Sequence, residues 1–345
     1  MGAAAIEIKT DNNKPMIIWL ITGCLLIFAM VFIGGITRLT GSGLSITEWK
    51  VIMGAIPPSN DAEWNEAFDK YKQIPQFQLV NNNFKLEDFK QIFFWEWFHR
   101  LIGRLVGVVF IIPYLWFLFK KKIDAPLNKK LLMIFSMGAF QGFLGWYMVS
   151  SGLSELTSVS HYRLAMHLIT AFLTCAYIFW VALDLWKARI PRIKSKALLY
   201  ARITFSVLIL QIIYGAFVAG LDAGLIYNTW PKMNAEWFAS NAFSLDPFYL
   251  NLIEHKDGIQ LMHRYLAYLV TALAILLFIQ SKKSENDLVR KGGILVLIIV
   301  LLQFLLGVLT LVMQVPISIA LMHQCGAFLL LMSLVYYIHT LKLKN

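Results

Sequence analysis

The chain has 345 residues, of which 58% are hydrophobic, and its mean hydropathy is +0.63. This composition excludes an ordinary soluble domain, in which about 45–50% of residues are apolar. The formal net charge of +11 does not indicate nucleic-acid binding, because the basic residues concentrate in alternate loops rather than in one patch.

Apolar stretches long enough to cross a membrane recur eight times along the chain. A hydrocarbon core of roughly 30 Å needs about 20 apolar residues in a helix. The backbone in lipid must satisfy its own hydrogen bonds, so each stretch is predicted to be helical. The predicted spans are 16–36, 93–119, 130–150, 162–186, 197–221, 259–281, 292–314 and 317–340. We therefore expect an all-α integral membrane protein.

Lysines and arginines concentrate at the termini and in the loops that follow spans 2, 4 and 6. The positive-inside rule then places both termini in the cytoplasm and the long loops outside. Residues 1–15 contain two acidic residues and no arginine, unlike a mitochondrial transit peptide. We expect a multi-pass protein of a bacterial inner (plasma) membrane.

The outer loop at 37–92 is too long to lack structure in a compact protein. Within it, Trp64, Phe68 and Tyr71 recur at helical spacing. This pattern predicts a helix that either lies on the membrane surface or packs over the bundle, and the sequence leaves both open. A further helix is expected to begin near Leu86 and to continue into span 2.

The chain also resembles two copies of one unit. Matches at a constant offset of 181 residues are Gly34 with Gly215, Gly43 with Gly224, and Trp49 with Trp230. We interpret the chain as two fused four-helix bundles in parallel repeat, with residues 1–190 (including the outer loop 37–92) and 191–345 as the halves.

Four histidines lie a few residues inside the outer ends of spans 2, 4, 6 and 8: His99, His167, His263 and His323. An ionisable side chain inside a bilayer is costly and therefore suggests function. Two imidazoles from facing helices can hold a haem iron, so the duplication predicts one site at His99 and His167 and another at His263 and His323. The alternative is a set of hydrogen-bonded core histidines. His161, His255 and His339 are expected to be interfacial or solvated.

Charged residues accompany these histidines. Arg100, Arg264, Arg104 and Arg163 are candidate contacts for haem propionates, since a guanidinium group binds carboxylates bidentately. The alternative is that they extend to the lipid headgroups.

Glu96 precedes His99 by three residues, whereas the corresponding residue before His263 is Gln260. A carboxylate beside only one haem predicts that this half carries out chemistry, by moving protons or stabilising positive charge. The alternative is a simple ion pair between Glu96 and Arg100.

Several motifs together resemble the haem A synthase family over nearly the whole chain. The motifs are 34–40 (GGITRLT), 42–45 (SGLS), 48–50 (EWK), 96–100 (EWFHR), 145–149 (GWYMV), 162–165 (YRLA), 227–231 (YNTWP), and the pairs at 263–264 (HR) and 323–324 (HQ). One branch of the family carries a pair of cysteines in the first outer loop. The outer loop 37–92 of this chain contains no cysteine, so the chain resembles the other branch, which is found in proteobacteria and mitochondria.

The resemblance implies an oxidoreductase that converts haem O to haem A, through an alcohol, for cytochrome oxidase assembly. It implies haem b as the cofactor on His263 and His323, haem O as the substrate at His99 and His167, and an essential acid at Glu96. It also implies a haem O synthase and an electron donor as partners, and it leaves homo-oligomerisation open. From the residues alone, a bis-histidine membrane cytochrome b that relays electrons and a haem carrier or assembly factor stay in competition.

Overall fold

The computed structural model describes residues 10–48, 55–153, 156–186 and 196–341. Trp49 and the predicted boundary between the halves at 190/191 lie outside these ranges. The helices are α1 (Thr10–Leu39), α2 (Asp61–Tyr71), α3 (Pro75–Leu79), α4 (Leu86–Phe119), α5 (Ala125–Ser150), α6 (His161–Trp186), α7 (Lys196–Gly220), α8 (Leu250–Ile253), α9 (Lys256–Lys282), α10 (Asp287–Val312) and α11 (Ile317–Thr340).

Eight of these helices are long and apolar enough to span a membrane: α1, α4, α5, α6, α7, α9, α10 and α11. They correspond to the eight predicted spans, and the chain is a multi-pass all-α membrane protein. The predicted start near Leu86 is confirmed, because α4 runs without a break from Leu86 to Phe119.

Local capping explains where several helices begin. The Asp124 carboxylate accepts a hydrogen bond from the Leu127 N–H at the start of α5, and Asn286 caps α10 through the Leu288 N–H. Such side chains replace the acceptors that the first turn of a helix lacks.

Helices α6 and α11 form the centre of the molecule, and both contact α1 and α7. Phe172 of α6 is fully buried, and its ring lies edge-on to Phe328 of α11 at 5.2 Å between centroids. Phe328 also contacts Phe28 of α1. One continuous apolar core therefore joins helices from both predicted halves.

The outer loop packs over the end of α4. Phe68 and Tyr71 of α2 are buried, and their rings lie 5.1 and 5.2 Å from the ring of Phe89. The same cluster includes Leu44 and is covered by Leu153 after α5. Of the two placements left open by the sequence, the helix thus takes the one packed over the bundle.

Replacing Phe89, which is fully buried, by Ala should remove the centre of this cluster and cost about 3–5 kcal/mol of stability. The check is thermal unfolding in detergent, with limited proteolysis of the outer loop. Phe94→Ala is the matched control, because Phe94 is 48% exposed on the same helix. Equal melting temperatures for the two variants would contradict the role of Phe89.

Candidate functional site

Each of the four predicted ligand histidines packs against a glycine on a neighbouring helix. A Cβ atom built on Gly34, Gly145, Gly215 or Gly307 would lie 3.0, 3.2, 3.1 or 2.9 Å from the Cε1 atom of His99, His167, His263 or His323, respectively. These distances are shorter than ordinary van der Waals contact, so a larger residue would displace the ring. The glycines let the helix backbones approach the imidazoles closely.

The second pair of histidines has the spacing of two ligands to one metal ion. The ring centroids of His263 and His323 are 6.4 Å apart, and the ring planes are nearly perpendicular at 86°. Two imidazole nitrogens each about 2 Å from a shared metal ion give roughly this centroid separation. His167 of the first pair lies in the neighbourhood of His99. The structure therefore brings His263 and His323 together at the separation of two ligands and places His99 and His167 near each other.

The hydrogen bonding of these histidines disagrees with an ordinary core role. The Nδ1 atoms of His99, His263 and His323 are buried and have no hydrogen-bond partner among the described residues. Buried polar atoms in folded proteins are normally hydrogen-bonded. The four rings themselves are partly exposed, and the amide nitrogen of Gln211 lies 3.5 Å from the Nε2 atom of His263. Partly exposed imidazoles of which three keep a buried nitrogen without a partner fit ligands of an iron better than hydrogen-bonded core histidines.

Glutamines hold the second histidine of each pair. Gln141 of α5 donates its Nε2–H to the backbone carbonyl of His167 at 2.9 Å, and Gln303 of α10 donates to that of His323 at 2.8 Å. The Gln141 amide nitrogen also lies 3.1 Å from His167 Nδ1. Each glutamine precedes the contacting glycine by four residues, so both face the same histidine.

The sequence analysis did not predict the contact of these glutamines with the histidines. The spacing of four residues in Gln141 to Gly145 and in Gln303 to Gly307 was the available signal.

Glu96 is only 3% exposed, one turn before His99, and its carboxylate is fully engaged. It accepts hydrogen bonds from the Ser45 hydroxyl at 2.7 Å, the Ile46 N–H at 2.8 Å and Arg100 at 2.6 Å. The ion pair with Arg100, which was the alternative explanation of Glu96, is present in the structure, and it is buried. The first histidine pair has a fixed anion beside it.

Gln260, at the corresponding place before His263, is 2% exposed and makes a different set of bonds. Its amide nitrogen donates to the carbonyls of Ala223 at 2.9 Å and Tyr227 at 3.3 Å. The Arg264 guanidinium donates to its oxygen at 3.4 Å. The two histidine pairs therefore share a framework but differ in local charge.

Arg100 and Arg264 bind loop carbonyls in the same way. Arg100 donates to the carbonyl oxygens of Ile46 and Glu48 at 3.0 and 3.2 Å. Arg264 donates to those of Tyr227 and Thr229 at 2.8 and 2.9 Å, and these residues follow Ile46 and Glu48 by the same offset of 181. Each arginine ties an outer loop to the helix turn that carries a histidine.

The other two arginines of the prediction differ from each other. Arg163 lies 3.8 Å over the Tyr147 ring and donates to the Tyr147 carbonyl at 2.7 Å. Arg104 is one turn further along α4 than Arg100, and its guanidinium is partly buried. Contact between any of the four arginines and a propionate stays a prediction.

Two of the remaining histidines are more buried than expected. His161 is 7% exposed, and its Nε2 lies 2.8 Å from the Ile253 carbonyl. His339 is 4% exposed and lies 3.4 Å from Asp184, which also pairs with Lys130 at 2.6 Å. The prediction of interfacial or solvated positions is wrong for both, because loop and helix partners distant in sequence cover them. His255 is partly buried at the start of α9.

An eight-span helical protein with two pairs of histidines inside its helices fits the class of membrane haem proteins. The model of the COX15-CtaA family, described as cytochrome oxidase assembly protein, matches residues 17–335. The chain belongs to this family, whose members bind haem.

Individual relatives agree with this assignment over nearly full length. Heme A synthase of Flavobacterium psychrophilum is 49% identical over 333 residues, covering 95% of this chain and 98% of the relative. Heme A synthase of Flavobacterium johnsoniae is 49% identical over 337 residues, with coverage of 96% and 98%. The Nitrosospira multiformis protein of the same name is 42% identical over 344 residues, with coverage of 97% and 96%.

Replacing Gly307 by Ala should weaken haem retention at the second pair by roughly tenfold, because the new Cβ would lie 2.9 Å from His323 Cε1. The measurement is haem content and the low-spin absorbance spectrum of the purified protein. Gly138→Ala is the control, since no described atom lies within 4 Å of a Cβ at Gly138. Unchanged haem content in the Gly307 variant would show that this contact does not position the ring.

Proposed function

We propose that the chain is a haem A synthase, an oxidoreductase that converts a methyl group of haem O to a formyl group through an alcohol, using oxygen and electrons. The product serves the assembly of cytochrome oxidase. The observation that supports this most directly is the buried carboxylate of Glu96 beside one histidine pair, with the amide of Gln260 at the corresponding place beside the other. Two electron-relay haems would need no such difference.

In this proposal the two pairs have different occupants. His263 and His323 would hold a resident haem b, and their centroid separation of 6.4 Å fits two imidazoles that share one metal ion. The bound haem b would supply one-electron transfer. His99 and His167 receive the substrate haem O. Of the equivalent residues Glu96 and Gln260, the one beside this pair is the carboxylate.

Glu96 is proposed to act on the substrate by charge or proton transfer. Its carboxylate is fixed by Ser45, Ile46 and Arg100, so it needs no reorganisation when positive charge develops nearby. Its fixed position also suits it to accept a proton from a group bound at the first pair.

The four arginines are proposed to contact propionates in addition to their present partners. Arg100 and Arg264 each have several N–H groups and follow directly after a ligand histidine. A haem edge directed toward the outer loops would bring its carboxylates near these guanidinium groups.

The two halves, 1–190 and 191–345, are proposed to be parallel repeats with substrate and cofactor roles, respectively. The repeated glycine–histidine and arginine–carbonyl contacts support this division. The basic inner loops support cytoplasmic termini in a bacterial inner membrane, with both haem sites toward the periplasm. A haem O synthase and an electron donor are the proposed partners, and self-association into a homo-oligomer is compatible with this arrangement.

The test of the proposed function is expression in a host that lacks haem A, with and without a haem O synthase. Membrane haems are extracted and identified by mass spectrometry. Haem A or its alcohol precursor should appear only when both proteins are present. Bound haem b together with unaltered haem O, in air and with a competent reductant supply, would favour a cytochrome or a carrier instead.

Glu96→Gln should lower haem A formation by about 10² or more while leaving the haem at the second pair bound, because it removes the carboxylate but keeps the shape of the side chain. The measurements are product haem per cell and the haem b spectrum of the purified variant. Gln260→Glu is the reciprocal variant and should not create a second site of oxidation. Normal haem A output from the Glu96 variant would end its catalytic assignment.

His263→Ala and His323→Ala should each abolish the low-spin spectrum of the resident haem and lower haem b content by roughly 10-fold or more, since each removes one of the two imidazoles that would hold the iron. His255→Ala, outside both pairs, should retain it. The check is the reduced-minus-oxidised spectrum of each purified protein. A normal spectrum in both ligand variants would remove the pair from the haem site.

A further inference from the structure

The two histidine pairs differ in how the helices close around them. In the second half, α9 and α10 pack closely, whereas α4 and α5 in the first half make few contacts. The contacts between α4 and α5 include the stacked rings of Phe110 and Phe135 and the hydrogen bond from the Tyr114 hydroxyl to the Asn128 side chain. Both lie toward the inner end of the helices, away from His99. We call the interface between α4 and α5 the first seam. The interface between α9 and α10 is the second seam.

Aromatic rings close the second seam beside its histidines. The ring of Phe304 on α10 lies 5.4 Å from that of Tyr268 on α9 and 6.3 Å from that of Trp230 in the outer loop. Phe304 directly follows Gln303, which holds His323, and Tyr268 follows His263 by five residues. We call these three rings the aromatic closure.

The first seam has small or polar residues at the corresponding positions. Gly142 directly follows Gln141, as Phe304 follows Gln303, and Arg104 follows His99 by five residues, as Tyr268 follows His263. The ring contact between α9 and α10 therefore has no counterpart between these two residues of α4 and α5.

Space next to the glycines of the first seam agrees with this difference. No described atom lies within 4 Å of a Cβ built on Gly107, Gly138 or Gly142. In the second half, Val300 corresponds to Gly138 when counted from the paired glutamines, and it is only 3% exposed. The seam beside the first pair is thus open where the seam beside the second pair is filled.

We propose that the first seam is a lateral portal through which the substrate haem moves between the bilayer and the His99–His167 pair. The inference rests on the proposed function, in which this pair receives haem O. Haem O carries a long isoprenoid chain, and an apolar molecule of that kind partitions into lipid rather than water. Phe143, which directly follows Gly142, is exposed and offers an apolar ring beside this passage.

The aromatic closure has the complementary role of retaining the resident haem. A cofactor that serves many turnovers must leave slowly, whereas a substrate must enter and its product must leave in each turnover. Both pairs consist of two histidines, so the ligands do not distinguish them. In this proposal the packing of the helices makes haem exchange fast at the first pair and slow at the second.

The first experiment closes the portal with Gly142→Phe. The protein is placed in lipid nanodiscs, and vesicles that carry protohaem or haem O supply the ligand, with binding followed by the appearance of the low-spin absorbance. Uptake at the first pair should slow by at least about fivefold, while the haem content of the second pair stays at the wild-type level and reports correct folding. Ser136→Phe adds the same bulk at an exposed position of α5 and should leave uptake unchanged. Wild-type uptake by the Gly142 variant would overturn the portal.

The second experiment opens the closed seam with Phe304→Ala. Release of haem is measured as transfer to excess apomyoglobin, without any turnover. Haem at the second pair should leave several-fold faster, and Leu302→Ala, at a position 55% exposed on α10, should have no effect. Release at the wild-type rate would overturn the retaining role of the aromatic closure.

These measurements separate the portal from the proposed function. If the wild-type chain forms no haem A but Gly142→Phe still slows haem uptake, the portal stands and the enzymatic assignment fails. If haem A forms normally and uptake by Gly142→Phe matches the wild type, the portal alone fails.

Discussion

The close approach of a glycine to each of the four imidazoles is the contact on which the rest of the site depends. Four histidines lie in apolar helices, where a polar ring without a partner is costly. Gly34, Gly145, Gly215 and Gly307 bring a neighbouring backbone within contact of each ring and thereby fix its plane. Rings held in this way can meet in pairs across the bundle, and the spacing of His263 and His323 follows from that constraint.

One framework holds both pairs, and the residues that precede His99 and His263 by one turn differ in charge. The arginines after His99 and His263 bind carbonyls at matched loop positions. Against this shared background, the carboxylate of Glu96 and the amide of Gln260 are almost the same size but differ in charge. In the proposed function, two parallel repeats thereby separate a reacting site from an electron-carrying one without a change in ligands.

The sequence predicted the features that depend on local pattern. Span length, alternate basic loops and the repeated depth of His99, His167, His263 and His323 are properties of nearby residues. The family resemblance added the division of roles. The features that escaped prediction depend on which helices touch and at what register.

Three contacts illustrate this limit. His339 is buried against Asp184, which is 155 residues earlier in the chain, and His161 against Ile253, 92 residues later. The contact of Phe304 with Tyr268 follows from the packing of α10 on α9 and is invisible in the hydropathy of either helix. Long-range pairings of this kind need the tertiary arrangement itself.

Arg100 and Arg264 hold the outer loops in a way that affects how the sequences of these loops can change in evolution. Both guanidinium groups bind main-chain carbonyls, at Ile46 and Glu48 in one half and at Tyr227 and Thr229 in the other. Every residue type presents the same carbonyl, so the attachment does not depend on the loop side chains. Selection can rewrite those side chains to suit a new neighbour outside the membrane while the loop stays anchored above its histidine.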